Sequence, residues 1–402
     1  MSVALTLVFS SCDLTEPDDY AATHLADYGI PSFDKAKFRS VERLYRDYFV
    51  TELPDSDEMA ATVAALYFTN YDGKIDTDDT VAVTDALINC YVYATGDKFS
   101  IYRTAVANEE YTSTMSGNYC GIGVTVRYDP DDKTLVITEV FKDSPAGEVG
   151  MLAGDFITAV GDELVSDLGY DATLTKVKGD EGTTVLITIL RGDEVIPLTV
   201  TRREFVVKSV EYSINEDNIG YIKISSFKSN TASQFYEAYE FMRDAGAVGI
   251  IYDLRGNTGG YLHSVVDILT TIAPKGTTIV SFSNGYSDPV TDTDSIEFLL
   301  PSVVLCNGRT ASAGELFTSA MRDFDEIYGH LEVTLVGKTT YGKGIMQRPY
   351  ELGDGSTITM TIAYYNPPSG VNYNGVGITP DVIAEEEDQL GAAYAEIYKL
   401  VK

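Results

Sequence analysis

The chain has 402 residues, room for two or three domains with cores of their own, and its 44% apolar content is ordinary for a globular protein. Its 29 Lys and Arg against 61 Asp and Glu give a formal charge of −32, and no basic stretch could neutralise phosphates, which excludes a nucleic-acid partner. The four cysteines form no CxxC pair and show no zinc-binding spacing, so no metal is expected.

Residues Ser2 to Phe9 form an apolar run too short to cross a bilayer, ending in Ser10-Ser11-Cys12. It resembles the end of a bacterial lipoprotein signal (1–12), which implies Cys12 as a lipidated mature N-terminus and residues 13–29, acidic and Pro-containing, as a tether. The protein is then expected at the cell envelope, lipid-anchored on an outer-membrane, periplasmic or surface face. The alternative for the run is a buried N-terminal helix. With Cys12 lipidated, Cys90, Cys120 and Cys306 cannot all pair.

Residues 30–112 have a helical pattern: Phe38, Val41, Leu44, Tyr45 and Tyr48 share a face, and a second run extends from Met59 to Phe68. Asn70 to Ile75 is similar to part of an EF-hand loop, but Phe68 would occupy its first ligand position, where an oxygen is needed. An acidic turn between helices is expected instead.

Residues 113–204 change to short strands, at Gly123 to Tyr128, Leu135 to Val140, Val185 to Leu190 and Ile196 to Val200. Ser144-Pro145-Ala146 and Gly150-Met151-Leu152-Ala153-Gly154-Asp155-Phe156-Ile157 resemble the core of bacterial PDZ domains, with Val149 where alanine is frequent. That resemblance implies that the loop Gly121-Ile122-Gly123 offers N–H groups to a peptide's terminal carboxylate, beside a strand edge that pairs with its backbone. Taken alone, the triplet reads as a hairpin glycine cluster.

Residues 205–402 alternate strand and helix, the pattern of an α/β core. After the strand Val248 to Tyr252 comes Asp253-Leu254-Arg255-Gly256-Asn257-Thr258-Gly259-Gly260, then a helix with Leu262, Val265, Val266, Leu269 and Ile272. The glycine pair lets backbone N–H groups approach a ligand oxygen, although it is also what an ordinary turn requires. Further on, Val303 to Cys306 suits a buried strand, and Ser312 opens a helix whose Leu316, Phe317, Ala320 and Met321 share a face. N–H groups are unpaired at that end, so it can hold an anion. Ser312-x-x-Glu315 on its own is a capping box. Past the strand Val333 to Val336, Lys343 stands between two glycines, and Gln347 follows four residues on. A partly desolvated lysine there, its pKa lowered toward about 7–8, could act as a general base on Ser312. The plain alternative is a surface turn lysine. Cys306 reads as a core thiol.

In this order the segments DLRGNTGG, TASAGE and TYGKGIMQ resemble the C-terminal processing peptidases, family S41 of serine proteases with a serine–lysine dyad. The likeness extends to Gly96–Tyr102 and to Gly375–Asp381, so it covers nearly the whole chain beyond the tether. It implies Ser312 as nucleophile, Lys343 as general base and Gln347 as the residue orienting the lysine. The proposed oxyanion hole is an N–H of Gly259 or Gly260 with that of Ala313. It also implies a crotonase-like α/β core over 205–402, hence an α+β multidomain protein, with no cofactor and with protein substrates bearing apolar C-termini. Departures are Thr258, Gly314 and a short insertion at Asp325 to Glu332. A Ser-His-Asp triad could draw only on His24, His263 and His330, of which His263 alone is near a candidate turn. Ser225-x-x-Lys228 lacks the motifs that accompany such a pair in β-lactamases, and Gly337-Lys338-Thr339 lacks the upstream glycine of a P-loop. The alternative of another class is a tail-binding scaffold or chaperone without turnover.

Overall fold

The computed structural model describes residues 20–129, 133–283, 288–291, 299–329 and 331–402, so Cys12 and His330 lie outside the described residues. Two units emerge: one comprises the residues up to Asn108 together with Met346–Ala363, the other Glu109–Ile345 with Tyr364–Lys402.

In the first unit, helices Lys35–Tyr48, Ser56–Asn70 and Thr80–Ala94 each begin at an aspartate, Asp34, Asp55 and Asp79, whose carboxylate accepts first-turn N–H groups. Their apolar faces meet through Phe38, Tyr45, Val63, Tyr67, Leu87 and Tyr91. The turn between the second and third helices ends in the Asp79 cap, as an acidic interhelix turn should. The tether is shorter than expected: Tyr20, Ala21, Ala22 and Leu25 are buried in this core, because a short helix at Ala21–His24 turns its small apolar residues inward. Less foreseeable is that Leu352, Ile358, Met360 and Ile362, from the far end of the chain, complete the same core. Lys37 ties them in, its Nζ lying 2.9 Å from Asp85, 2.7 Å from the Tyr102 hydroxyl and 2.7 Å from Asp354. Burial alone would raise the Asp354 carboxyl, but the hydrogen bond from Lys37 holds it at about 2.

Glu42 makes this unit sensitive to pH. Burial lifts its carboxyl from 4.5 to about 7, against the opposing hydrogen bond from the Ala22 N–H at 3.3 Å. A carboxyl raised on folding binds its proton more tightly in the native state. Its stabilisation is therefore complete below pH 4.5 and lost as pH rises through 7, an effect of roughly 3 kcal/mol at most. Glu42→Gln should flatten the decline in melting temperature between pH 5 and 8, measured by calorimetry against wild type; parallel curves would refute the assignment.

In the second unit, a mainly antiparallel sheet has the order Val124–Asp129, Thr134–Val140, Phe156–Val160, Thr184–Arg191, Glu194–Thr201. Its core is Leu135, Ile137, Ile157, Ile187, Ile189 and Val200, alternate residues pointing inward as a half-buried sheet demands. A helix, Val165–Val177, kinked at Gly169 (φ 75°), packs on it; its broken periodicity hid it in the sequence. Strand Val124–Asp129 closes one end of the order and leaves an edge.

A second sheet runs Val210–Ile214, Ile219–Ile224, Gly249–Asp253, Ser302–Cys306, Val333–Gly337, Val382–Ile383, parallel after the first pair. Every residue of Gly249–Asp253 and Ser302–Cys306 is buried, as parallel strands covered on both faces must be. Helix Gln389–Leu400 covers part of it through Ala393 and Ile397. The expected insertion at Asp325 to Glu332 is in its first half a continuation of helix Ala313–Tyr328, and the Asp325 carboxylate accepts the Val333 N–H at 3.2 Å. The carboxyl ends of three adjacent parallel strands thus carry the Asp253, Asn307 and Lys338 turns side by side, where open α/β sheets place their sites.

Candidate active site

Ser312 is the N-cap of helix Ala313–Tyr328 with φ 55° and ψ −120°, a conformation that costs a non-glycine residue energy and persists only where its surroundings enforce it. The enforcement is visible. Leu316, Phe317, Ala320, Met321 and Phe324 seat the helix in the core, while the Ala311 N–H donates to Asn257 O at 2.9 Å and the Thr310 hydroxyl to Leu254 O at 2.8 Å. Ser312 itself is half-buried, leaving its side chain approachable.

The capping reading of Glu315 was correct but incomplete. Its carboxylate is fully buried and accepts four donors: the Ser312 N–H (2.9 Å), the Thr340 hydroxyl (2.5 Å), the Gly342 N–H (2.6 Å) and the Lys343 N–H (2.7 Å). The Ser312 and Lys343 N–H groups share one oxygen, Oε2, so the two backbone nitrogens are no farther apart than two hydrogen bonds end to end. Residues 31 positions apart in the chain are pinned to one atom.

Around Lys343 every backbone polar group of Gly342-Lys343-Gly344 has a partner. The Gly342 and Lys343 N–H groups go to Glu315; Gly342 O accepts the Gly375 N–H (2.9 Å), Lys343 O the Tyr365 hydroxyl (3.1 Å) and Gly344 O the Asn372 amide (2.8 Å); the Gly344 N–H donates to Asn374 Oδ1 (3.2 Å). A turn so completely bonded is preorganised. Lys343 itself is half-buried. None of Tyr365, Asn372 and Asn374 could be foreseen, because they reach the turn only through folding.

The glycine turn is held by Asp253, whose carboxylate receives Arg255 in a two-pronged ion pair (2.9 and 2.6 Å) and the Tyr221 hydroxyl (2.7 Å). Asn257 binds Ile224 O through Nδ2 (2.9 Å) and takes the Gly259 N–H on Oδ1 (2.8 Å). Of the two candidate glycines, the Gly259 N–H is already engaged, whereas the N–H groups of Gly260 and Ala313 have no acceptor among the described residues. Gly259 has a different part. With φ 105°, a Cβ there would come within 2.8 Å of Ser312 Cβ, so its bareness lets the turn lie against the serine. A Cβ on Gly260 would strike Phe227 O at 2.1 Å.

Gln347 belongs to the first unit, where its Nε2 donates to Phe99 O at 2.5 Å, leaving the amide oxygen as the end able to accept. His263 is exposed and stacks on Tyr261 with centroids 5.1 Å apart; His24 pairs with Asp57. Cys306 is wholly buried, and burial pushes its thiol up to about 12, which suits a core residue and not a nucleophile. Lys228, the chance partner of Ser225, lies over the ring of Tyr119. In the smaller sheet domain, the carbonyls of Ile122 and Gly123 are taken by the N–H groups of Ala146 (2.7 Å) and Phe141 (3.0 Å), while the Ile122 and Gly123 N–H groups have no acceptor among the described residues. The triplet Gly121-Ile122-Gly123 is thus a loop with unspent donors, next to the edge strand.

Residues 218–384 match the model of peptidase family S41, and residues 119–201 match that of the PDZ domain. The carboxy-terminal processing protease CtpA of Bacillus subtilis is 31% identical over 336 residues, 83% of this chain and 70% of that protein. The chain belongs to peptidase family S41. A second relative of the family, described as a probable CtpA-like serine protease of Staphylococcus haemolyticus, is 34% identical over 308 residues, 74% of this chain. The chain spans only 59% of that relative's length. Among solved structures, the photosystem II D1 C-terminal processing protease shares the fold with a TM-score of 0.51 at 23% identity, covering 91% of this chain and 97% of that one. So does a lipoprotein from Streptococcus agalactiae, at a TM-score of 0.51 and 12% identity, with 97% and 100% covered.

Proposed function

We propose that this member of the S41 family is a serine endopeptidase that cleaves protein substrates through Ser312 and Lys343. The observation that carries this reading is the shared Glu315 oxygen, which brings the backbones of those two residues together. An uncharged Lys343 Nζ takes the Ser312 proton as Oγ attacks the scissile carbonyl carbon, and the charge on the tetrahedral oxygen falls to the Gly260 and Ala313 N–H groups. Lys343 then gives the proton to the leaving amine, and the acyl ester remains on Ser312. Water attacks that ester with Lys343 again as base, releasing the acid and restoring the hydroxyl. The N–H groups of Ile122 and Gly123 receive the terminal carboxylate of a substrate with an apolar C-terminus, and Cys12 carries a lipid that anchors the enzyme in the cell envelope.

Two unstructured substrates, identical except for a C-terminus ending in three apolar or three acidic residues, test this directly. The apolar tail should be consumed at least about tenfold faster, by a lower KM, as expected if the loop and edge strand contribute affinity. Binding of the apolar tail with no cleavage by wild type would instead make the chain a tail-binding scaffold; equal cleavage of both would remove the role of the loop and edge strand. Metabolic labelling with palmitate, compared with Cys12→Ala, tests the anchor.

A further inference from the structure

Two buried tyrosines, Tyr365 and Tyr373, lie behind the site, 3% and 5% exposed, and no part of the mechanism above uses them. The Tyr365 hydroxyl donates to Lys343 O at 3.1 Å, and that of Tyr373 reaches Ser312 O at 3.5 Å. Their rings meet edge-on with centroids 6.1 Å apart, so a movement of one phenol is felt by the other. Asn372 reinforces the pair: its Nδ2 bonds both Gly344 O at 2.8 Å and Tyr365 O at 2.7 Å, joining the strand that bears Tyr365 to the lysine turn.

We infer that Tyr365 and Tyr373 form a brace that sets the spacing of Ser312 and Lys343 from the side opposite Glu315, as positioning residues of the peptidase reaction. Glu315 binds the N–H groups of the two residues; the tyrosines bind their carbonyls. With the peptide units before and after each residue held, neither backbone can rotate at that residue without breaking a buried hydrogen bond, and the hydroxyl-to-amine distance inherits that rigidity. Burial raises both phenols above their ordinary range, so they stay protonated and able to donate wherever a lysine base is active.

The inference rests on the Ser312–Lys343 reading, and its test is arranged to separate the two. Tyr365→Phe, Tyr373→Phe and the double variant keep the rings and remove only hydroxyls. Each single variant should lower kcat about 10- to 100-fold with KM within about threefold of wild type, since misplacement of reacting groups acts on the chemical step. The acidic limb of the kcat profile should also move, because the lysine's neighbours determine how readily it loses its proton. Phosphonylation of Ser312 by a fluorophosphonate, with loss of fluoride, should slow in parallel, and the double variant should lose less than the product of the two single losses, as coupled residues do. A melting temperature lowered with kcat, pH profile and phosphonylation rate unchanged would make the tyrosines mere core residues and overturn the brace. Ser312→Ala or Lys343→Ala retaining wild-type activity would instead overturn the dyad, whatever the tyrosine variants do.

Discussion

Ser312→Ala should reduce peptide hydrolysis by at least about three orders of magnitude, with a melting temperature at or slightly above that of wild type. In the proposed mechanism the hydroxyl is the bond-forming atom, so nothing else in the site would replace it. Relief of a strained φ of 55° by alanine is not expected, because alanine bears the same Cβ; the effect on stability comes only from the lost polar group. Lys343→Ala should match it in size, and the double variant should be no worse than either, because nucleophile and base act as one unit. Lys343→Arg is the more telling change. A guanidinium keeps the charge and much of the length but does not lose its proton at any working pH, so a general-base role predicts an enzyme as inactive as the alanine variant. Substantial activity in Lys343→Arg, measured as release of new amino termini from an unfolded protein, would leave the lysine as an electrostatic neighbour only.

Glu315→Ala is expected to be as damaging to activity and far more damaging to the fold. It would strip four buried donors, the Ser312, Gly342 and Lys343 N–H groups and the Thr340 hydroxyl, of their acceptor. Each orphaned donor costs about 1–3 kcal/mol, although water entering the space would recover part of it, so a net loss of about 3–5 kcal/mol is expected. Glu315→Gln preserves volume and still faces difficulty: its NH2 must point at a pair of donors, whichever way the amide lies. It should lose roughly half as much stability and still lower kcat tenfold or more. Urea unfolding followed by fluorescence, alongside hydrolysis rates, separates the two effects. A Glu315→Gln variant with native stability and rate would show that the carboxylate is only a helix cap.

The legible parts of this protein were those written locally. Apolar residues spaced for a helix after Ser312, or clustered at Val303 to Cys306, declare their element because the period of a helix or the burial of a strand acts on neighbours in the chain. The proposed reacting residues were visible for a related reason: Ser312 and Lys343 stand in short segments whose glycines and caps have few other uses. The tether was misjudged where it mattered, since Tyr20 to Leu25 carry too few apolar residues to announce a core contact that only the other helices supply.

What waited for the tertiary structure was every contact made at a distance. Glu315 looked like a cap because three residues of sequence show one of its four hydrogen bonds; the other three donors lie 25 to 28 positions away. Gly259 and Gly260 were indistinguishable until Asn257 was seen to occupy the N–H of the first. Met346–Ala363 read as part of the α/β core and joined the helical unit instead, because amphipathic strands specify that they must be covered but not by what. Local periodicity chooses the elements, whereas the choice among equally apolar or equally polar partners is made only when the whole chain is packed and each buried donor must find an acceptor.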